Sequence, residues 1–203
     1  MEYPQLGLPL ALELINTQFA LGGQPRDALQ TPLDLQAWIE LNSHQLDTSS
    51  HGLEPTEGDL ERFRELRLAM RGLFGAAAAG GSPNTADVRT VNDASAAAPR
   101  FEWLDWSGAQ TPRAQTMSVA DGFAWVLAAV ARSAIGLLAG GIQVQQCQAP
   151  GCVLFFTRET RRRQWCSAAC GNRARVARHY SRHKRQMGPA QRAARRKGRR
   201  DSL

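Results

Sequence analysis

The run Cys147-Gln148-Ala149-Pro150-Gly151-Cys152, followed after a thirteen-residue spacer by Cys166-Ser167-Ala168-Ala169-Cys170, holds all four cysteines of the 203-residue chain. The spacing is C-x4-C-x13-C-x3-C. Two close pairs separated by a spacer suit a tetrahedral site in which each pair clamps one side of a metal ion. Ala149-Pro150-Gly151 is turn-forming, as a metal knuckle requires. Val153 to Thr157 reads as a short strand, Arg158 to Arg163 as a basic turn, and Gln164-Trp165 as the return towards the second pair. Ser167 is placed to cap a helix, with Cys166 just before it and Cys170 in its first turn. There the free N–H groups and the positive dipole end favour thiolates. Knuckle, hairpin and helix in this order form a treble-clef-like layout.

Other uses of four cysteines fit less well. Disulfides need an oxidising compartment, and Met1 to Leu14 has no Lys or Arg ahead of its apolar part, unlike a secretory signal. A cytoplasmic location is therefore expected. A redox pair would more naturally be C-x2-C. Cys147, Cys152, Cys166 and Cys170 are thus expected to hold one Zn2+ per chain. Four thiolates leave no open coordination position, so the zinc is expected to be structural. A module this small takes its folding energy from the metal.

Working outward, the charge is sharply divided. Residues 1–157 carry 9 Arg/Lys against 16 Asp/Glu, net −7, and residues 158–203 carry 16 against 2, net +14. A basic end of this kind attracts a polyanion and releases counterions from it. On the helix after Cys170, Arg175, Arg178, Arg182 and Arg185 are spaced i, i+3, i+7, i+10 and share one face. Such a row fits a nucleic-acid groove, where Arg binds phosphate as a fork or reads guanine. Arg161, Arg162 and Arg163 on the turn are expected to add phosphate contacts. Val176 and Tyr180 fall on another face and are expected to pack on the hairpin, while Arg173 and Lys184 point elsewhere and serve structure. Duplex DNA is the expected partner. An RNA, or an acidic protein meeting the Arg row, stays open as an alternative. The segment 188–203 has no apolar face and is expected to be a disordered basic tail.

The preceding part, residues 1–140, reads as mainly α. Helices are expected over Leu8–Phe19, after the capping box Thr31-Pro32-Leu33-Asp34, after a second box Thr56-Glu57-Gly58-Asp59, from Asn84 towards Ala98, and after a third box Ser118-Val119-Ala120-Asp121 to Gly140-Gly141. Gly22-Gly23 and Pro25 read as a break between helices. One β-hairpin is expected, Arg100–Trp106 returning over Arg113–Met117. Trp38, Phe63, Trp103 and Trp125 read as core residues. The long helix after Thr56 places Leu60, Phe63, Leu66, Met70 and Leu73-Phe74 on one side and Arg64, Arg67 and Arg71 elsewhere. Arg67 and Arg71 need partners there, which makes them the first candidates for contact with a small-molecule effector or with a second copy of the chain. No apolar run is uninterrupted over the length of a bilayer span: Val119–Leu138 contains Asp121 and Arg132. No Ser-His-Asp, phosphate-loop or dinucleotide pattern is visible, and His44, His51, His179 and His183 lack ligand-like spacing with acids. An enzyme is not expected.

Trp165-Cys166-Ser167-Ala168-Ala169-Cys170-Gly171-Asn172-Arg173, with Leu154-Phe155 and Ala174-Arg175-Val176-Ala177-Arg178, resembles the CGNR zinc-finger family from Cys147 to about Arg185. Asn16-Thr17, Leu33 to Ile39 and the Leu66-Arg67 to Phe74 helix resemble the ABATE, or stress-induced transcription regulator, domain. The resemblance implies a bacterial transcription regulator: a helical, sensor-like domain over 1–140, a DNA-binding finger over 141–187 with the same four cysteines as ligands, and the tail. Members of the finger family tend to carry an Asp and a Ser-Arg pair after the Phe. Here that stretch is Thr157-Arg158-Glu159-Thr160, so DNA specificity is not carried over.

Overall fold

In the computed structural model, residues 3–46, 54–108, 111–120, 122–158, 160 and 162–186 are described, save the side chains of 183–186. The described residues form six α-helices and three two-stranded antiparallel sheets. The fold is mainly α.

Two of the three capping boxes set helix starts as expected. Thr31 Oγ1 accepts from the Asp34 N–H at 3.3 Å and the Asp34 carboxylate accepts from the Thr31 N–H at 2.9 Å. With Pro32 at the first position, this opens α2, Pro32–Leu41. Thr56 and Asp59 do the same for α3, Glu57–Ala79, which closes on Gly80 in the left-handed region. Asn84 caps α4, Thr85–Ala96. The third box behaves differently. Ser118 is the last residue of a strand, Val119 is exposed, and the helix α5 runs Gly122–Ala139; Asp121 lies outside the described residues. The hydroxyl of Ser118 is used instead at the hairpin base, donating to the Pro99 carbonyl at 3.1 Å.

The first helix, α1, covers only Leu10–Ile15, shorter than the expected Leu8–Phe19. After Asn16-Thr17 the chain forms a hairpin of β1, Gln18–Leu21, and β2, Gln24–Asp27. Gly22 and Gly23 both have positive φ, 59° and 81°, the conformation of a tight two-residue hairpin turn that favours two residues without Cβ. What reads as a break is therefore a turn, and the N-terminal part carries two hairpins. The second is β3, Arg100–Asp105, with β4, Arg113–Ser118, as expected. It does not bury its aromatics: Trp103 is 58% exposed, whereas Trp38, Phe63 and Trp125 are core.

At the centre lies α5. Its 18 residues are long and apolar enough to cross a membrane by length and composition, but Trp125 to Ala131, Ala134 and Leu137 are buried, and the helix packs against α1, α3 and α4. It is the core helix of the body. The core continues past Gly140-Gly141 without a break. A third hairpin, β5 Val144–Gln146 with β6 Phe155–Thr157, contributes Val144, Leu154, Phe155 and Phe156 to the same buried cluster as α1, α3 and α5. Expected as the partner of β6, Gln164-Trp165 instead makes a single backbone bond, Gln148 N–H to Gln164 carbonyl at 3.1 Å.

Polar groups lock this junction. Asn16, fully buried, donates from Nδ2 to the Phe155 carbonyl at 2.9 Å and accepts from the Phe155 N–H at 2.8 Å. Arg71 donates to the Ile15 carbonyl at 2.8 Å and the Val153 carbonyl at 3.2 Å, with its guanidinium over the Phe155 ring. Arg67 is also buried, on the core side of α3 and not away from it. It forms a two-pronged pair with Asp27, both contacts 2.6 Å, and donates to Thr17 Oγ1 at 2.8 Å. Both Arg residues thus have internal partners, Arg67 fully buried and Arg71 half-buried.

Two expectations follow. Asn16→Ala should cost about 2–4 kcal/mol in chemical denaturation, because both main-chain groups of Phe155 lose their partner inside the core. Asp27→Asn should cost about 2–3 kcal/mol, below the value for a fully buried pair because the Asp27 side chain is 32% exposed. Burial alone would raise the Asp27 carboxyl, but the hydrogen bond and charge of Arg67 and the Leu29 N–H outweigh it and hold it below the usual range. The stabilisation is therefore full above the ordinary carboxylate pKa, about 3.9, and is lost as pH falls through the depressed native value. Stability measured against pH should lose this acid-side component in Asp27→Asn.

Candidate metal centre and the helix it anchors

The knuckle between β5 and β6 places the first two cysteines. Cys147 N–H donates to the Leu154 carbonyl at 2.8 Å and Cys152 N–H to the Ala149 carbonyl at 3.0 Å, closing the turn. Gly151, next to Cys152, has φ 72°, a value that a side chain would strain. The second pair sits at the start of α6, Ala168–Gln186. Ser167 Oγ accepts from the Cys170 N–H at 3.3 Å, the expected cap, so Cys166 lies just before the helix and Cys170 in its first turn.

All four sulfurs lie within 4.8 Å of one another. Cys152 and Cys166 Sγ are 3.9 Å apart and Cys166 and Cys170 Sγ 3.5 Å. A tetrahedron of sulfurs 2.3 Å from zinc has edges of about 3.8 Å, whereas a disulfide is close to 2 Å. The spacing fits one zinc ion and no disulfide. The thiol chemistry agrees. Hydrogen bonds from Cys152 and Cys166 push Cys147 down to about 2. The bond to Cys147 pushes Cys152 up to about 11, and bonds to Cys147 and Cys152 raise Cys166. Without a metal, Cys152 and Cys166 thus keep their protons beside the Cys147 thiolate. A dication lets all four ionise. Cys166 N–H donates to Cys147 Sγ at 3.4 Å and Arg173 Nη2 to Cys170 Sγ at 3.2 Å, two donors that orient and stabilise thiolate charge. A zinc ion here would be held by Cys147, Cys152, Cys166 and Cys170 and would tie knuckle to helix; four cysteine ligands would leave no position for substrate.

The residues after Cys170 each have a local task. A Cβ at Gly171 would come within 3.3 Å of the Trp165 ring, so glycine lets the indole lie on the helix start. Asn172 Oδ1 accepts from Arg175 Nη2 at 2.8 Å. Arg173 meets the sulfur. The Arg178 guanidinium covers the other reach of Trp165, 5.5 Å from its ring centre.

Of the residues expected to meet nucleic acid, Arg175, Arg178 and Arg182 are exposed along α6, and Arg162 is exposed on the turn. Arg163 is turned inward: it stacks over Phe156 and donates to the carbonyls of Trp165 at 3.4 Å and Cys166 at 3.2 Å. Arg161 and the side chain of Arg185 lie outside the described residues, as do Lys184's side chain and the segment 187–203. Val176 and Tyr180, expected to pack on the hairpin, are 53% and 67% exposed. The hairpin turns its apolar side to the body, and no described element covers them. Asn16 and Arg71 seat the centre; in the sequence Asn16 falls inside the expected Leu8–Phe19 helix, and no local pattern marks either residue for that role.

Cys166→Ser should remove zinc and unfold α6, with loss of helical circular dichroism and of metal by elemental analysis, while α2 to α5 persist. Gly171→Ala should keep the metal but displace the indole, lowering thermal stability by about 1–2 kcal/mol.

A model of the ABATE family, described as "Putative stress-induced transcription regulator", matches residues 8–141. A CGNR zinc-finger model matches residues 143–183. No curated protein matches the chain. The two matches coincide with the helical body and with the four-cysteine centre and its helix: the chain belongs to the ABATE family and carries a CGNR zinc finger.

Proposed function

We propose that this chain is a zinc-organised DNA-binding transcription regulator of the cytoplasm, with α6 as its contact helix. The observation that carries the reading is the exposed face of Arg175, Arg178 and Arg182 on a helix whose start is rooted in the cysteine cluster. Arg175 is steadied by Asn172 and Arg178 by Trp165, so part of the ordering cost of binding is met beforehand. The net charge of +14 after residue 157 supplies long-range attraction to phosphate, and the net −7 before it keeps the body off the polyanion. A regulator also needs an input, and the N-terminal body is where an effector or a second copy of the chain would act.

Exposed Tyr180 on the same helix favours one other reading, a base stacked on its ring in single-stranded RNA. Competition separates the two. If DNA is the partner, duplex DNA displaces labelled duplex and single-stranded RNA does not, and Tyr180→Ser changes little. The reverse pattern sinks the DNA reading.

Arg175→Ala or Arg182→Ala should cost about 1–3 kcal/mol on a specific duplex where the side chain reads a base. Where it meets only phosphate, the loss should be uniform across sequences and lower the salt slope by about one. Deleting 191–203 should lower affinity about equally for all duplexes. Binding titrations across salt, on selected and random duplexes, check these outcomes.

A further inference from the structure

Val176 and Tyr180 are the large apolar side chains of α6, and both are exposed. Valine is β-branched and a poorer helix former than the alanines around it. Its place on an open face is therefore not explained by the helix itself, and no described element lies over it.

Position around the helix narrows what meets it. At about 3.6 residues per turn, Arg178, Arg182, Arg175, His179, Val176 and Tyr180 follow in that order around roughly 200° of α6. All six are exposed. Buried Cys170 and Ala174 and half-buried Ala177 lie on the opposite side. Val176 thus sits inside the exposed arc, between His179 and Tyr180, and not at its edge.

Charge narrows the partner. The helix carries six Arg and Lys and no Asp or Glu, so a second α6 is repelled and the partner is anionic. Phosphate alone gives a valine nothing to touch. The major groove of duplex DNA joins both chemistries. It is lined by phosphates, is about 12 Å wide, admits a helix of about 10–12 Å, and exposes the C5-methyl group of thymine on its floor. Duplex RNA offers neither feature: its major groove is too narrow for side chains, and uracil lacks the methyl.

We propose that Val176 reads the C5-methyl of a thymine with α6 in the major groove, as a specificity-determining residue beside the Arg row. Neighbouring Cα atoms are about 3.8 Å apart and base pairs about 3.4 Å, so this thymine lies within about two base pairs of the position met by Arg175. The inference rests on the DNA reading of α6 and adds one base identity to it.

The test uses the full-length, zinc-loaded chain and the duplexes it selects from a random pool. Each thymine of a selected duplex is replaced singly by deoxyuridine, which removes the methyl and keeps the pairing. One such change should weaken binding about fourfold, the worth of one apolar carbon taken out of water. Val176→Ser should lose the same factor on the thymine duplex and no longer distinguish thymine from deoxyuridine. Arg175→Ala should bind both duplexes more weakly and keep the difference between them. Zinc content and far-UV circular dichroism should be unchanged in both variants, because both side chains are exposed. Selected duplexes without a shared thymine overturn this inference and leave the DNA reading standing. So does a wild-type chain indifferent to every deoxyuridine, or a Val176→Ser chain that keeps the full difference. A chain that selects no duplex, or that single-stranded RNA displaces from duplex, overturns the DNA reading and this inference with it.

Discussion

One buried amide holds the architecture together. Asn16 faces the main chain of Phe155 with both ends of its side chain, doing for β6 what a third strand would do. The β5–β6 sheet has only two strands, and its outer edge would otherwise meet apolar side chains with an unpaired N–H and carbonyl. Orphaned main-chain groups in a core cost as much as several methylenes of burial. Arg71 completes the seat with two carbonyls, one from each side of the junction. Because the strand is held here, the knuckle between β5 and β6 is held, and with it the first two cysteines.

The remaining pair of cysteines comes from a helix that has little else to fix it. Among the described residues, the buried ones of α6 lie near its start: Cys170, Gly171 and Ala174. Beyond that turn, from 175 to 182, the described side chains are exposed except half-buried Ala177. A zinc ion among the four sulfurs would supply the attachment that packing does not, and the residues after Cys170 would tune it. Gly171 makes room for the Trp165 ring, Arg173 donates to sulfur, and Asn172 and Trp165 steady two exposed Arg side chains. Cysteine cluster and basic row are thus one construction, in which the seating of the helix start determines where the charges point.

The surfaces that the fold leaves uncovered divide by chemistry. The α6 face is cationic with one exposed Tyr, and the β3–β4 hairpin is aromatic. They belong to parts of the chain with opposite net charge. The DNA contact proposed for α6 uses the first of these surfaces and leaves the second free.

Much of this was legible in the sequence, and the legible part is local. The boxes at Thr31 and Thr56, the cap at Ser167, the cysteine spacing, the β3–β4 hairpin and the Arg periodicity each depend on residues within a few positions of one another, where backbone geometry leaves few alternatives. Which side of an element is buried depends on what arrives from far along the chain. Arg67 became a core residue because Asp27 and Thr17 reach it across 40 and 50 positions. Trp103, Val176 and Tyr180 have the spacing of packing residues but no element within the described chain lies over them. The strand that pairs with β6 precedes Cys147 instead of following the basic turn, and Asn16 reads as part of the first helix until Phe155 is placed beside it. Capping and periodicity determined most of the helices, and cysteine spacing the four-sulfur cluster. Only the tertiary structure decided burial, because burial is a property of two surfaces and a local pattern describes one.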